Sequence, residues 1–244
     1  MQRLFQPRRR RYKRGLALVI LMLAAAVGLA AWLVPALAAT ACPVCFGFDR
    51  LAERVYVDSH ATDAERDSAR AIAATAAARV RAFYGRQEST PRLFLCTTHD
   101  CYAGFGGGSR GMAVLDVVLV LAPLGFNAVI ATHELSHVEL HRRLGRFATL
   151  RRAIPQWFDE GVATMVSEDP RYPPARSDAE CADAMQGALP TARAAWIHDI
   201  DHDALSGKAA QRIGCWMASR GGSRAIINLI ERVAAGMRFE EAWR

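Results

Sequence analysis

The pattern His-Glu-x-x-His at residues 133–137 constrains the fold of this chain more than any other feature. It lies in a helix-length segment, residues 127–144, followed by Gly145, a residue type that often ends helices. Residues four apart in a helix lie about 40° apart around the axis and one turn along it. His133 and His137 therefore face the same point, as two ligands of one tetrahedral metal ion do. The pattern predicts a metal-binding helix.

The residue between them has a different predicted role. Glu134 lies about 100° around the helix axis from His133, beside the metal rather than on it. There it can take a proton from metal-bound water, as in metal-assisted hydrolysis. The alternative is a polar surface helix, but the chain has only seven histidines in 244 residues, so we favour the metal site. His141 continues the row and is predicted to be a helix-end cation or an outer partner rather than a fourth ligand.

A third ligand distinguishes the possible kinds of metal site. Metzincins place a histidine six residues after the second one and a glycine between them, but these positions hold Arg143 and Leu140. Further on, residues 155–163 follow the pattern Pro-x-Trp-x-x-Glu-Gly-x-Ala, in which Glu160 lies 23 residues after His137. Proline is suited to the first turn of a helix, and the small residues allow two helices to approach closely. The pattern comprises Pro155, Trp157, Glu160, Gly161 and Ala163.

Together the two segments resemble the gluzincin zinc peptidases, whose second zinc helix has this pattern and supplies a glutamate ligand. The resemblance implies one Zn²⁺ held by His133, His137 and Glu160, with Glu134 as general base. It implies an α+β, zincin-like fold with a small mixed sheet, an active-site helix and a helical C-terminal part. It covers roughly residues 50–244, although only the two zinc segments are specific.

Several neighbouring residues are candidates for supporting roles. Asp159 either orients a zinc histidine or is a solvated acid near a helix start, and Thr164 is a further candidate one turn beyond Glu160. Gluzincins commonly add a tyrosine or histidine that stabilises the oxyanion, but residues 208–211 read Lys-Ala-Ala-Gln where related domains have a tyrosine. The open candidates are Tyr172, His198 and His202.

The N-terminal region accounts for the charge of the chain. Residues 1–14 contain seven basic side chains and no acid, and the rest has 24 basic and 24 acidic residues, so the net charge of +7 does not indicate nucleic-acid binding. Residues 15–39 are uncharged and largely aliphatic, which predicts a transmembrane helix with a cytoplasmic N-terminus and an extracytoplasmic (periplasmic) domain. The alternative is a signal peptide cleaved near residues 36–38, which would give a secreted protein.

All six cysteines follow that segment, and their even number predicts up to three disulfides in an oxidising compartment. Proximity in the sequence favours Cys42–Cys45, Cys96–Cys101 and Cys181–Cys215 among 15 possible pairings. The C-x-x-C pair at residues 42–45 could also be a redox centre, but no βαβ pattern precedes it.

The remaining segments complete the predicted domain. We expect strands at residues 54–58, 92–96 and 112–122, the last broken near Asp116, and an amphipathic helix from Thr62 to Tyr84. The five glycines within residues 102–111 lack a phosphate-loop order and predict a mobile turn. By resemblance, the strand before the active-site helix would receive an extended peptide at its free edge. Residues 207–244 predict two helices joined at Gly221 and Gly222.

We therefore divide the chain into a basic tail (1–14), a membrane anchor or signal peptide (15–39), a linker (40–53) and a metallopeptidase domain (54–244). The predicted function is a membrane-anchored zinc peptidase that acts on peptides or proteins. Two alternatives remain: a non-catalytic scaffold module with structural zinc, and a redox factor built on Cys42 and Cys45. The membrane is a predicted partner and nucleic acid is not.

Overall fold

The computed structural model describes residues 13, 16–22, 28, 34–106, 108–197 and 202–244. The strands are β1 (Phe48–Ala52), β2 (Val55–Asp58), β3 (Arg92–Leu95), β4 (Gly111–Val114) and β5 (Val118–Leu121). The helices before the central one are α1 (Pro35–Ala41), α2 (Asp63–Tyr84) and α3 (His99–Ala103), and α4 (Ala128–Leu144) is the central helix. The later helices are α5 (Arg146–Leu150), α6 (Gln156–Ser167), α7 (Asp178–Met185), α8 (Arg193–Ile197), α9 (His202–Ala218), α10 (Ser223–Ala234) and α11 (Phe239–Trp243).

The strands form one small mixed sheet in the order β1-β2-β3-β5-β4. β2, β3 and β5 are parallel, and β1 and β4 pair antiparallel at the two ends. Strand β1 lies within the predicted linker, residues 40–53. The strand predicted over residues 112–122, with its break near Asp116, is a hairpin in which Leu115 adopts a left-handed conformation (φ 53°) and turns the chain back. The described chain is thus α+β, with most helices after the sheet.

One face of the sheet carries the main core, under α2 and α4. Helix α2 begins at a capping box in which the Thr62 hydroxyl accepts from the Glu65 amide and Glu65 accepts from the Thr62 amide. Its buried side chains recur at helical spacing, as an amphipathic helix requires. The sheet and α2 together contribute Val57, Leu95, Leu119, Leu121, Ala69, Ile72, Ala76, Val80 and Tyr84 to this core.

The other face of the sheet carries a second, smaller core that includes the N-terminal helix α1. Pro35 opens α1 at its first position, and Ala36 and Ala39 are buried at 1% and 0% exposure. They pack in a cluster with Phe48, Phe94 and other residues of the sheet. Residues 35–41 are therefore packed against the sheet, and they include residues 36–38, the cleavage site of the alternative signal-peptide interpretation.

This arrangement corrects the prediction for residues 15–39. Among the helices of the described residues, none has both the length and the apolar character needed to cross a bilayer. Pro35 starts a separate seven-residue helix, and residues 23–27 and 29–33 of the predicted anchor lie outside the described residues. The predicted transmembrane helix is wrong, and so are the single-pass membrane location and the membrane partner that depended on it.

The C-terminal helices enclose α6. Helix α6 lies between α4 and α9, and α11 closes the domain by placing Trp243 against Trp157 of α6 and Trp216 of α9. The indole Nε1–H of Trp216 donates to the Trp243 carbonyl at 2.8 Å. The disulfides Cys42–Cys45, Cys96–Cys101 and Cys181–Cys215 are all present, and the third links α7 to α9.

Candidate metal centre

Helix α4 supplies two of the candidate ligands. The Asn127 side chain caps its first turn by accepting from the Ile130 amide at 3.0 Å, and Gly145 ends it. His133 and His137 project from the same side of the helix, with ring centroids 4.7 Å apart. The helix thus has the boundaries predicted from the sequence to within one residue, and the two imidazoles converge as their spacing requires.

Helix α6 supplies the third candidate ligand, because it packs closely against α4. Pro155 is its N-cap residue, one position earlier than expected. Gly161 faces α9 so closely that an added β-carbon would lie 2.8 Å from the Ala209 carbonyl oxygen. The absence of a side chain at Gly161 therefore lets α6 lie between α4 and α9 with Glu160 directed at the two histidines.

The three donor atoms have the separations that a single metal ion requires. Nε2 of His133 and Nε2 of His137 lie 3.1 Å apart. Oε2 of Glu160 lies 3.4 Å from the first and 3.6 Å from the second. A tetrahedral ion with bonds of about 2.1 Å places its donor atoms about 3.4 Å apart. His133, His137 and Glu160 therefore form a group that can hold a metal ion.

Asp159 determines which nitrogen of His137 faces this group. Its carboxylate can only accept, so the 2.7 Å contact from Nδ1 of His137 to Oδ1 is an N–H donating to oxygen. In the neutral ring the other nitrogen, Nε2, then carries a lone pair directed at the group, the tautomer a metal ligand needs. Of the two roles considered for Asp159, the structure favours orientation of a histidine over a solvated acid, since Asp159 is buried.

The charges of the group reinforce this arrangement. Burial lowers the pKa of His137, but the charges of Asp159 and Glu160 outweigh it and leave that pKa well above its ordinary value. Burial raises the pKa of Glu160, yet the two histidines outweigh it and hold that pKa well below its ordinary value. Without a metal, carboxylate and imidazole thus stabilise each other's charged forms, and a cation can replace the proton.

Glu134 lies beside the group and against the edge strand β4. Burial raises the pKa of its carboxyl, which the neighbouring histidines only partly oppose. A β-carbon added at Gly111, the first residue of β4, would lie 2.7 Å from Cγ and 2.9 Å from Oε1 of Glu134. The missing side chain at Gly111 is therefore what gives the Glu134 carboxylate its space.

The structure shows other contacts for two of the remaining predicted candidates and does not describe the side chains of the other two. Thr164 is buried on α6, where its carbonyl accepts from the Ser167 hydroxyl at 2.7 Å. The Tyr172 hydroxyl donates to Oδ1 of Asp203 at 2.7 Å, and burial together with this bond raises its pKa to about 12. His198 lies outside the described residues, and of His202 only its place at the start of α9 is described. The structure selects no oxyanion-stabilising residue among them.

One supporting residue was missed by the sequence analysis. The Gln156 side chain donates through Nε2 to Oε1 of Glu160 at 2.9 Å, which leaves Oε2 for the metal group. The signal was present, because Gln156 precedes Glu160 by four residues on one helix and such pairs face each other.

No protein-family model, curated protein sequence or solved structure matches this chain.

Proposed function

We propose that this protein is a zinc-dependent peptidase of the gluzincin type. The observation that carries the proposal is the convergence of His133, His137 and Glu160 within 3.1–3.6 Å of one another, with Glu134 beside them. Two imidazoles and a carboxylate are a donor set that zinc accepts, and three protein ligands are typical of catalytic rather than structural zinc sites. This ligand count also favours an enzyme over a scaffold with structural zinc.

When held by His133, His137 and Glu160, zinc would supply Lewis-acid chemistry, namely polarisation of the scissile carbonyl and a lower pKa of a bound water molecule. Glu134 takes the proton from the attacking water on its carboxylate and passes it to the leaving amine nitrogen. The raised pKa of this carboxyl suits both roles, since a base with a pKa nearer neutrality also returns the proton efficiently. Asp159 holds His137 in place by accepting from its Nδ1. Gln156 holds Glu160 in place by donating to its Oε1.

A peptide is the favoured substrate class because of where Glu134 lies. Its carboxylate abuts Gly111, the first residue of β4, and β4 is the last strand in the order of the described sheet. An extended peptide that pairs with such a strand by main-chain hydrogen bonds would run past this carboxylate. Strand addition requires an extended main chain, which peptides provide.

The test is metal analysis of the purified protein together with digestion of a broad peptide library. We expect one zinc per chain and hydrolysis that a chelator abolishes. Glu134→Gln should lower hydrolysis by about 10³-fold while zinc stays bound, because only the proton acceptor is lost. Glu231→Gln, an exposed residue of α10, is the matched control and should cleave like the unmodified protein. Absence of zinc, or full hydrolysis by Glu134→Gln, would contradict the proposal.

A further inference from the structure

A second group of metal-ligand residues lies next to the first and shares His137 with it. It consists of His137, His141 and Asp159. Asp159 is its centre: Oδ1 lies 2.7 Å from Nδ1 of His137, and Oδ2 lies 2.9 Å from Nε2 of His141. Each carboxylate oxygen is thus engaged by a different imidazole, and the three side chains form one chain from α4 to α6 and back.

The distances indicate hydrogen bonds rather than a second metal site. Donor atoms on one tetrahedral ion lie about 3.4 Å apart, as those of the first group do. The two contacts to Asp159 are shorter and fall in the range of charge-assisted N–H···O bonds. Nδ1 of His137 and Nε2 of His141 must therefore each carry a hydrogen that points at Asp159. His141 is thus the second of the two histidines that donate to this carboxylate.

We propose that His141 is a positioning residue for the metal centre. Its Nε2–H holds the Asp159 carboxylate in the orientation that accepts from Nδ1 of His137, which keeps Nε2 of His137 directed at the metal. This inference rests on the proposed function, since it assumes that the first group binds zinc. Zinc affinity should then depend on a side chain that never touches the ion.

The surroundings of His141 suit this role. Its main chain is anchored at the end of α4, where its carbonyl accepts from the Gly145 amide at 3.0 Å and the Thr149 hydroxyl at 3.3 Å. The side chain of Asp159 is only 12% exposed, so few water molecules can replace a lost donor there. Without His141, the carboxylate would keep one directional partner in the site and could rotate away from His137.

The experiment compares three substitutions at position 141 by competition of each full-length protein with a zinc chelator. His141→Gln retains a donor near the position of Nε2, His141→Asn retains one near Nδ1, and His141→Phe retains neither. We expect His141→Phe and His141→Asn to weaken zinc binding about 10-fold, the lower end for outer partners of a zinc ligand. His141→Gln should stay within about twofold of the unmodified protein, since it restores the bond.

Thermal unfolding of the metal-free proteins separates positioning from a general packing effect. If His141 only packs, zinc affinity will follow the stability of the metal-free fold, and His141→Gln will not differ from His141→Asn. That result, or equal zinc binding by all four proteins, would overturn the inference while leaving the peptidase proposal intact. Two zinc ions per chain, one lost in His141→Phe, would also overturn it. An unmodified protein without zinc would overturn both proposals.

Discussion

Helix α4 carries a buried polar cluster on each of two sides, and the two differ in how their acceptors are satisfied. On one side, Glu139 is fully buried and accepts from the amides of Glu88 and Ser89 at 2.8–3.0 Å and from Nε of Arg143 at 2.7 Å. On the other side, Oε2 of Glu160 faces the Nε2 atoms of two histidines, and in neutral His137 that nitrogen presents a lone pair. Both clusters contain a glutamate that is largely shielded from solvent, with side-chain exposures of 0% for Glu139 and 17% for Glu160.

This difference separates a structural cluster from a candidate metal centre. Around Glu139 every acceptor meets a donor, and the arrangement ties the end of α2 and the segment after it to α4; Arg143 also donates to the Arg86 carbonyl at 2.7 Å. At the other cluster, Oε2 of Glu160 and Nε2 of neutral His137 are both acceptors and face each other. Such a pair is stable only with a proton or a cation between the two atoms. Excess acceptors at short distance, rather than burial or charge alone, distinguish a metal group from a structural ion pair.

The largest expected effect is the loss of folding stability caused by a substitution at Glu139. Glu139→Gln removes the charge that compensates buried Arg143 and leaves a buried N–H without its acceptor, so we expect a loss of about 3 kcal/mol in the free energy of unfolding. Urea denaturation with and without zinc should give the same loss, because this cluster does not touch the metal group. A loss below about 1 kcal/mol would mean that solvent or another acceptor replaces the carboxylate.

A glutamate-to-glutamine substitution in the candidate metal centre, at Glu160, should instead act by weakening metal binding. Glu160→Gln removes the one anionic member of the candidate metal group His133, His137 and Glu160, and we expect zinc affinity to fall at least about 100-fold, which at saturating zinc removes about 2.7 kcal/mol of zinc-induced stabilisation. The measurement is thermal unfolding at a series of zinc concentrations. If Glu160→Gln retains the full zinc-induced shift, Glu160 is not a ligand and the two clusters do not differ in the way described above.

A pair of glycine substitutions tests whether helix packing sets the centre. Gly161→Ala brings a β-carbon against the Ala209 main chain, so α6 must move, and we expect a loss of about 1–3 kcal/mol in unfolding free energy together with weaker zinc binding. Gly214→Ala, on the facing helix α9, meets only Sδ of Met165 at an ordinary 3.8 Å. It should be neutral or stabilising by up to about 1 kcal/mol. Equal behaviour of the two variants would exclude this role of Gly161.

The smallest expected effect is the change in zinc affinity per pH unit. The pKa of His137 lies well above its ordinary value in the metal-free protein, so a proton competes with the metal even at neutral pH. Zinc affinity should therefore rise with pH above the ordinary histidine value, by about tenfold per unit while one ligand proton is displaced (about 1.4 kcal/mol). Chelator competition between pH 6 and pH 8 measures the slope. A flat profile would show that His137 carries no extra proton in the metal-free protein, so that no proton competes with the metal there.

Much of the candidate centre was predictable because helical periodicity is a local property. Histidines four residues apart on a capped helix converge whatever surrounds them, and this places His133, Glu134 and His137. The donor from Gln156 to Glu160 follows from the same rule and was overlooked. The amphipathic pattern of α2 and its capping residues likewise allowed that helix to be placed to within a residue.

The failures have the opposite cause, since they concern what a segment packs against. The apolar run at residues 15–39 satisfies a hydropathy criterion for a membrane helix, but hydropathy does not reveal that the end of this run, from Pro35, packs against protein. Ala36 and Ala39 lie in a protein core, against Phe48 and Phe94. Strand β1 was assigned to a linker because its five residues become a strand only through pairing with β2.

The sequence by itself determined which side chains can bind a metal and that two of them lie on one face of a helix, because spacing along a helix translates directly into direction. Only the tertiary structure decided that Glu160 reaches the same point, since this depends on the close packing of α6 against α9 at Gly161. It also decided that Asp159 joins His137 to His141. Contacts between helices depend on how all the surrounding side chains pack, and no single segment of sequence contains that information.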